Sequence, residues 1–272
     1  MNDIEPRFKF GRNWLRYSKN IDERAVTSAI DGLQRLLDSH SLAGKHFLDI
    51  GCGSGLHSIA ASRLGAGSVA AFDYDADSVE ATRHNFARFA PSAQLTLCRR
   101  DILHHDIQGK FDVVYSWGVL HHTGDMWQAI KNAAQLVEDD GLLLIAIYKK
   151  TSLCRAWTAI KRLYSSSGPA VRFCMAAAFL TPLYFGKILA RQKFPRGMSW
   201  YYDAIDWLGG YPYESATWDE IVDFVENAGF ANLSTVNTGR MLGIFGSSCA
   251  EYVFQKNEID ARTALAPALP RS

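Results

Sequence analysis

Five short apolar runs, at residues 47–50, 68–72, 94–98, 111–116 and 142–148, punctuate the first half of this 272-residue chain, and each reads as a β-strand. Between them, residues 56–64, Ala76–Phe89 and 125–137 keep a helical pattern. Strand and helix therefore alternate from residue 44 to 148, which predicts an α/β domain around a mostly parallel sheet. Upstream, Glu23–Leu37 carries Val26, Ile30, Leu33 and Leu37 on one face, the pattern of an amphipathic helix packed on the sheet edge. Downstream, Thr217 followed three residues later by Glu220 is a capping box that opens a helix over 217–228.

The first strand runs into Asp49-Ile50-Gly51-Cys52-Gly53-Ser54-Gly55, an acid and a glycine-alternating turn before a helix. Glycines there permit positive φ and let a ligand approach the backbone, while the next helix offers its N-terminal amides. Charge and spacing choose the ligand. A dinucleotide fingerprint is G-x-G-x-x-G around a pyrophosphate, whereas this loop is G-x-G-x-G with a carboxylate two residues ahead of it. That carboxylate opposes a pyrophosphate and attracts the ammonium and sulfonium of S-adenosylmethionine. The second strand leads to Asp73, about twenty residues beyond the loop, where an acid meets ribose hydroxyls in this kind of fold. The third leads to Asp101 and Ile102, an acceptor for an adenine amino group and a cover for its ring. The fourth delivers Ser116-Trp117-Gly118-Val119-Leu120-His121-His122.

In this order the four sites resemble the class I S-adenosylmethionine-dependent methyltransferases, strongly over residues 44–150 and more loosely over 217–256. For this chain the resemblance implies a Rossmann-like, doubly wound sheet of seven strands with the last one antiparallel. It also implies that Asp49, Gly51 and Gly53 contact the methionine part of the cofactor, Asp73 the ribose, Asp101 and Ile102 the adenine, and Ser116 and Trp117 the floor beneath the sulfonium, with Gly55 and Tyr74 as further cofactor-binding residues. The aromatic, basic segment 8–14 either folds over the cofactor through Trp14, as leading segments do in similar enzymes, or only anchors its rings. Asp75 reads as a helix cap, Cys52 as a small residue in a tight turn and Asp112 as a strand start.

Residues 151–213 exceed what is needed to join the fifth strand to the helix at 217, and predict a helical cap over the carboxyl ends of the strands, where open α/β sheets bind ligands. The chain thus divides into an N-terminal segment (1–43), the cofactor domain (44–150 and 214–256), the cap (151–213) and a flexible tail (257–272). Within the cap, residues 173–186 are uncharged and mainly apolar, shorter than the ~20 residues that span a bilayer, and contain Pro182, which would kink a helix. Three roles stay open for them: lining a substrate chamber, forming a homodimer face, or touching a membrane surface peripherally. The stretch 197–214 interleaves aromatics with carboxylates and nominates Tyr201, Asp206, Trp207 and Tyr213 as acceptor contacts, or else as a structural corner.

A hydrophobic content of 48% suits one α/β core with an insertion. A net charge of +1 without a basic stripe disfavours nucleic acid as a partner. Cysteines at 52, 98, 154, 174 and 249 lack metal-ligand spacing, so no metal is expected and a reducing, cytoplasmic setting is. Residues 1–7 lack the basic start and apolar core of a secretion signal, so export is not expected. A sulfonium is already a good leaving group, so the protein must mainly align acceptor with methyl and exclude water. A hydroxyl acceptor also needs a base, and His121 or His122 follows the strand that delivers Trp117, with His57 a weaker candidate. No Asn/Asp-Pro-Pro-aromatic turn follows that strand, which favours oxygen or carbon acceptors over amide nitrogen. The expectation is methylation of a small-molecule acceptor, foremost O-methylation in secondary-metabolite, quinone or glycan tailoring. The alternatives are C- or N-methylation of a small apolar metabolite, or a sensor or assembly partner that binds S-adenosylmethionine without catalysis. Asp49 and the glycine spacing oppose a hydride-transfer enzyme.

Overall fold

The computed structural model describes residues 8, 10–18, 21–104, 106–190, 200–237 and 248–257, so the tail expected at 257–272 lies, past its first residue, outside the described residues. Strands β1 (His46–Ile50), β2 (Ser68–Asp73), β3 (Leu95–Arg99), β4 (Phe111–Trp117), β5 (Val137–Tyr148), β6 (Phe230–Asn237) and β7 (Cys249–Lys256) form one sheet in the order β3-β2-β1-β4-β5-β7-β6. The pairs among β1 to β5 are parallel, and β7 runs antiparallel to both β5 and β6. The expected seven-stranded sheet with an antiparallel last strand is therefore present. Strand order reverses beside β1, which has β2 on one side and β4 on the other; connections leaving their carboxyl ends diverge and open a crevice there.

Neighbouring residues on each strand face opposite ways, and both faces are apolar because helices cover both. Phe47, Val69, Val113, Leu144 and Val253 pack with Leu33 of α2 (Glu23–Leu37), Ile59 of α3 (Leu56–Arg63) and Phe86 of α4 (Ala76–Phe89). Leu48, Val114, Leu143, Ile145 and Phe254 pack with Ile130 of α5 (Met126–Gln135) and with Ile221 and Val225 of α9 (Trp218–Glu226). Side-chain caps start these helices: Asp22 accepts from the Ala25 amide, Asp75 from Asp77, Asp125 from Gln128, and Thr217 with Glu220 closes the expected capping box.

One boundary differs from the sequence reading. The helix expected to reach residue 137 ends at Gln135, because Val137 instead pairs with Phe111 and begins β5 ahead of the apolar run. The acidic turn Asp139-Asp140-Gly141 hides that early stretch; Asp140 takes φ 62° and its carboxylate accepts from Gln255 at 2.6 Å. α7 (Pro169–Ala190) carries Pro182 in its interior, with the Thr181 hydroxyl donating to the Ala177 carbonyl at 2.8 Å.

The segment 151–213 contains α6 (Cys154–Ser166), α7 and α8 (Trp200–Gly209). Ser165 donates to the Gly209 carbonyl at 2.7 Å, fastening α6 to α8. Backbone bonds then tie the segment to the carboxyl ends of β4 and β5, from the Lys150 amide to Ala216, from Ala216 to Tyr148 and from Glu214 to His121. No helix among the described residues is long and apolar enough to cross a membrane.

Candidate active site

The glycine loop sits at the switch point. Amides of Gly51 and Cys52 donate to the Phe72 carbonyl at 2.8 and 3.1 Å, which ties the loop to the end of β2. Gly51 has φ +75°, and a Cβ there would stand 2.5 Å from the Val119 side chain, so both backbone conformation and close approach of the segment after β4 require glycine. Asp49 is buried and accepts from Ser58 Oγ at 2.6 Å, while Asp73 accepts from the amides of Gly53 at 3.0 Å and Asp75 at 2.8 Å. These donors are neutral. Burial, reinforced by Asp73 and opposed by Ser58, raises the Asp49 carboxyl from 3.8 to about 7. Burial, opposed by the Asp75 and Gly53 amides, raises Asp73 to about 6. Two neighbouring carboxyl groups at the ends of β1 and β2, Asp49 buried and Asp73 half-buried, suit a ligand that brings positive charge and hydroxyls, which is the fit for S-adenosylmethionine.

Further residues close around this loop. Trp14 of α1 (Phe10–Ser18) stands over Gly53, its ring 3.4 Å from where a Cβ would be, and Gly11 donates its amide to Asp75 at 3.1 Å. Asp75 thus caps α4 and holds α1 at once. Asp101 accepts from the Leu103 amide at 3.0 Å, and Ile102 is buried in the core with its carbonyl fixed by Asn132 at 2.7 Å. Tyr74 lies exposed at the rim, the Arg99 guanidinium 5.8 Å from its ring centre. Ser116 donates to the Ile50 carbonyl at 3.1 Å and Trp117 Nε1 to Glu251 at 2.8 Å, so both stiffen the floor of the crevice. Asp112 lies at the other end of the sheet with Lys45 at 3.0 Å and the His46 amide at 2.8 Å.

Beside the segment 151–213, rings gather at the carboxyl ends of β4 and β5. His121 is buried, its ring 4.0 Å from that of Tyr148 and 4.4 Å from that of His122. His122 Nδ1 lies 2.7 Å from the Pro212 carbonyl and its ring 5.1 Å from Phe10. Burial, helped by positive charge at Lys161, pushes His122 down to about 3; burial, with His122 and Lys161, pushes His121 well below its ordinary 6.5. Both rings are therefore neutral at physiological pH. Neither nitrogen of His121 has a hydrogen-bond partner at normal geometry, the Ala146 backbone only opposing the downward shift. Of the acceptor contacts nominated from sequence, Trp207 and Tyr213 meet around Lys161, whose Nζ lies 3.9 and 4.9 Å from their ring centres. Asp206 adds a nearby negative charge to Lys161. Tyr201 lies on α8, with its side chain outside the described residues.

A family profile described as "Methyltransferase domain" matches residues 21–235. The chain belongs to that methyltransferase family. Its mixed seven-stranded sheet and glycine loop are those of the class I S-adenosylmethionine-dependent members. Among curated relatives, ubiquinone biosynthesis O-methyltransferase of Glaesserella parasuis is 32% identical over 122 residues, 42% of this chain and 50% of the relative. Ribosomal protein L11 methyltransferase of Histophilus somni is 32% identical over 174 residues, 58% of each. The chain spans about half the length of the curated relatives it matches. Among solved structures, magnesium protoporphyrin IX methyltransferase from Synechocystis with bound S-adenosylhomocysteine superposes with TM-score 0.52 at 19% identity, covering 92% of this chain and 89% of that one. N-methyltransferase NodS from Bradyrhizobium japonicum with the same ligand gives TM-score 0.55 at 14% identity over 92% and 100%. At these identities the two structures share a fold with this family member.

Three residues of this methyltransferase-family chain carry weight that the sequence reading missed. Lys161 is wholly buried, donates to the Trp207 carbonyl, and is pushed by burial well below the usual lysine range against the pull of Cys249, Asp206 and Cys154. Glu214 accepts from the Met126 amide at 2.9 Å and so joins the end of the cap to α5. Glu251 is buried between Trp117 and Arg35, the latter at 3.0 Å.

Proposed function

We propose that this protein transfers the methyl group of S-adenosylmethionine to an oxygen of a small-molecule acceptor held under the cap. The observation that carries the reading is the junction of two groups at one end of the sheet: the carboxyl pair Asp49 and Asp73 at β1 and β2, and the ring cluster around His121 at β4 and β5. The bound cofactor supplies a methyl carbon on a sulfonium. Asp49 and Asp73 hold its charged and hydroxylated parts, and Trp14 excludes water over Gly53. Gly118, with φ +74° and nothing within 4 Å of a Cβ position, leaves room at the end of β4. His121 has both ring nitrogens unclaimed and is neutral, so it can take a hydroxyl proton as the acceptor oxygen attacks. His122, with Nδ1 against Pro212, orients the segment instead.

The oxygen acceptor is supported by Ser116-Trp117-Gly118-Val119 standing where amide-nitrogen methyltransferases place a Pro-Pro turn, and by the O-methyltransferase among the relatives. Calorimetry with S-adenosylhomocysteine and with NAD tests the cofactor. A thermal-shift screen of phenols, hydroxyquinones, sugars and amines at saturating S-adenosylhomocysteine, followed by labelled methyl transfer to the hits, tests the acceptor. Heat from NAD alone overturns the first assignment; transfer only to an amine or to a protein overturns the second.

A further inference from the structure

We infer that the outer face of α7 docks on an anionic lipid surface. An apolar helix ordinarily hides its side chains in a core, and one that is apolar all round is buried on every side. The first half of α7 is apolar yet buried along one strip alone: Met175, Ala176, Phe179 and Leu180 are half-buried, and Phe179 stacks on Trp207 with ring centres 5.1 Å apart. The rest of its circumference faces outward. Phe173 is 74% exposed and Val171 47%, with Cys174, Ala177 and Ala178 exposed beside them and Leu163 of α6 exposed at 55%. These exposed side chains leave apolar surface on α6 and α7.

Charge names what covers it. From residue 149 to 202 the sequence holds ten Lys or Arg, at 149, 150, 155, 161, 162, 172, 187, 191, 193 and 196, and no Asp or Glu, in a chain whose net charge is +1. Lys161 is buried and Lys150 pairs with Glu220 at 2.8 Å, but Arg155, Arg162 and Arg172 are exposed on the same two helices as this apolar surface. An apolar surface accompanied by cations is the arrangement of a helix that lies in a membrane interface, its rings among the acyl chains and its basic groups among anionic headgroups. A second copy of this chain docked through the same helices would bring its own Arg155, Arg162 and Arg172 toward these and repel.

Flotation with lipid vesicles tests the assignment. The full chain should float with vesicles of phosphatidylcholine containing a third phosphatidylglycerol, and stay behind with pure phosphatidylcholine. Raising salt from 0.05 to 0.5 M should weaken partition about ten-fold or more, since each basic group near an anionic surface is worth about five-fold. Phe173→Glu should abolish flotation, and the pair Arg155→Glu with Arg162→Glu should reduce it at least ten-fold, while thermal unfolding with and without S-adenosylhomocysteine stays unchanged because these side chains are exposed. Flotation of Phe173→Glu equal to wild type overturns the proposal. A dimer in light scattering that Phe173→Glu converts to monomer, with no vesicle binding, also overturns it and makes this surface an interface between copies.

Discussion

Glu251 on β7 accepts the indole proton of Trp117 at 2.8 Å and the Arg35 guanidinium at 3.0 Å, so a buried carboxylate holds the ring at the end of β4 from behind. Trp117→Phe keeps the ring and removes the donor. It should cost about 1–3 kcal/mol in urea unfolding, the scale for a buried acceptor left short. Glu251→Leu should weaken S-adenosylhomocysteine binding as well, by loosening the floor, whereas Glu251→Gln should largely keep it. Equal affinity in the Leu and Gln variants would detach Trp117 from the cofactor site.

Asp49 sets an unusual pH dependence. It keeps a proton up to about pH 7 when folded and loses it near 3.8 when unfolded, so the folded chain binds more protons between those values. Stability of the ligand-free protein therefore falls as pH rises through that window, by up to about 4 kcal/mol from this group. Asp49→Asn should reduce the difference between unfolding curves at pH 5 and 8, leaving the share that Asp73 contributes. A cationic ligand favours the carboxylate, so binding near pH 6.5 should release up to about one proton, read as a buffer dependence of the calorimetric heat and lost in the variant.

At Gly51 the φ of +75° and the 2.5 Å approach to Val119 act together. Gly51→Ala should lose about 1–3 kcal/mol from backbone strain alone, with the steric contact added. Pairing it with Val119→Ala should recover the part of the steric loss due to the two methyl groups at 2.5 Å, with the Val119 Cβ at 2.9 Å still close, and leave the strain. Additive losses in the double variant would show that the two positions do not touch.

The histidines titrate in the opposite sense to Asp49. His122 binds its proton only near pH 3 when folded and near 6.5 when unfolded, so stability is lost as pH falls through that range, and His122→Gln should relieve this acid sensitivity. His121→Gln should lower kcat by roughly 10² to 10⁴ on a hydroxyl acceptor with cofactor affinity within a few-fold. The rate should show no inflection near pH 6.5. A double variant with near-full turnover would leave proximity and desolvation as the sources of rate.

The elements legible in the sequence are those whose signal is local. β1 to β4 announce themselves by apolar runs, and the loop by glycine spacing joined to the charge of Asp49, all within a dozen residues. The start of β5 is not legible, because Glu138-Asp139-Asp140 read as a turn while their backbone continues the strand. Lys161 and Glu251 fail for a different reason. A lysine between Ile160 and Arg162 reads as solvated, and its burial depends on a carbonyl 46 residues away. Glu251 meets Trp117 across 134 residues. Burial of a charge is decided by partners that the fold supplies, and no periodicity carries that information.

α1 touches four places that the chain keeps far apart: Gly11 reaches Asp75, Trp14 covers Gly53, Phe10 lies against His122, and the neighbouring Phe8 donates its amide to Tyr211 at 3.0 Å. A swing of this helix that uncovers the glycine loop must also let go of the cap, so loading and unloading on the two sides share one latch. Under the proposed activity one motion would then open both the cofactor side and the acceptor side. The element that would have to move is short, nine residues of helix.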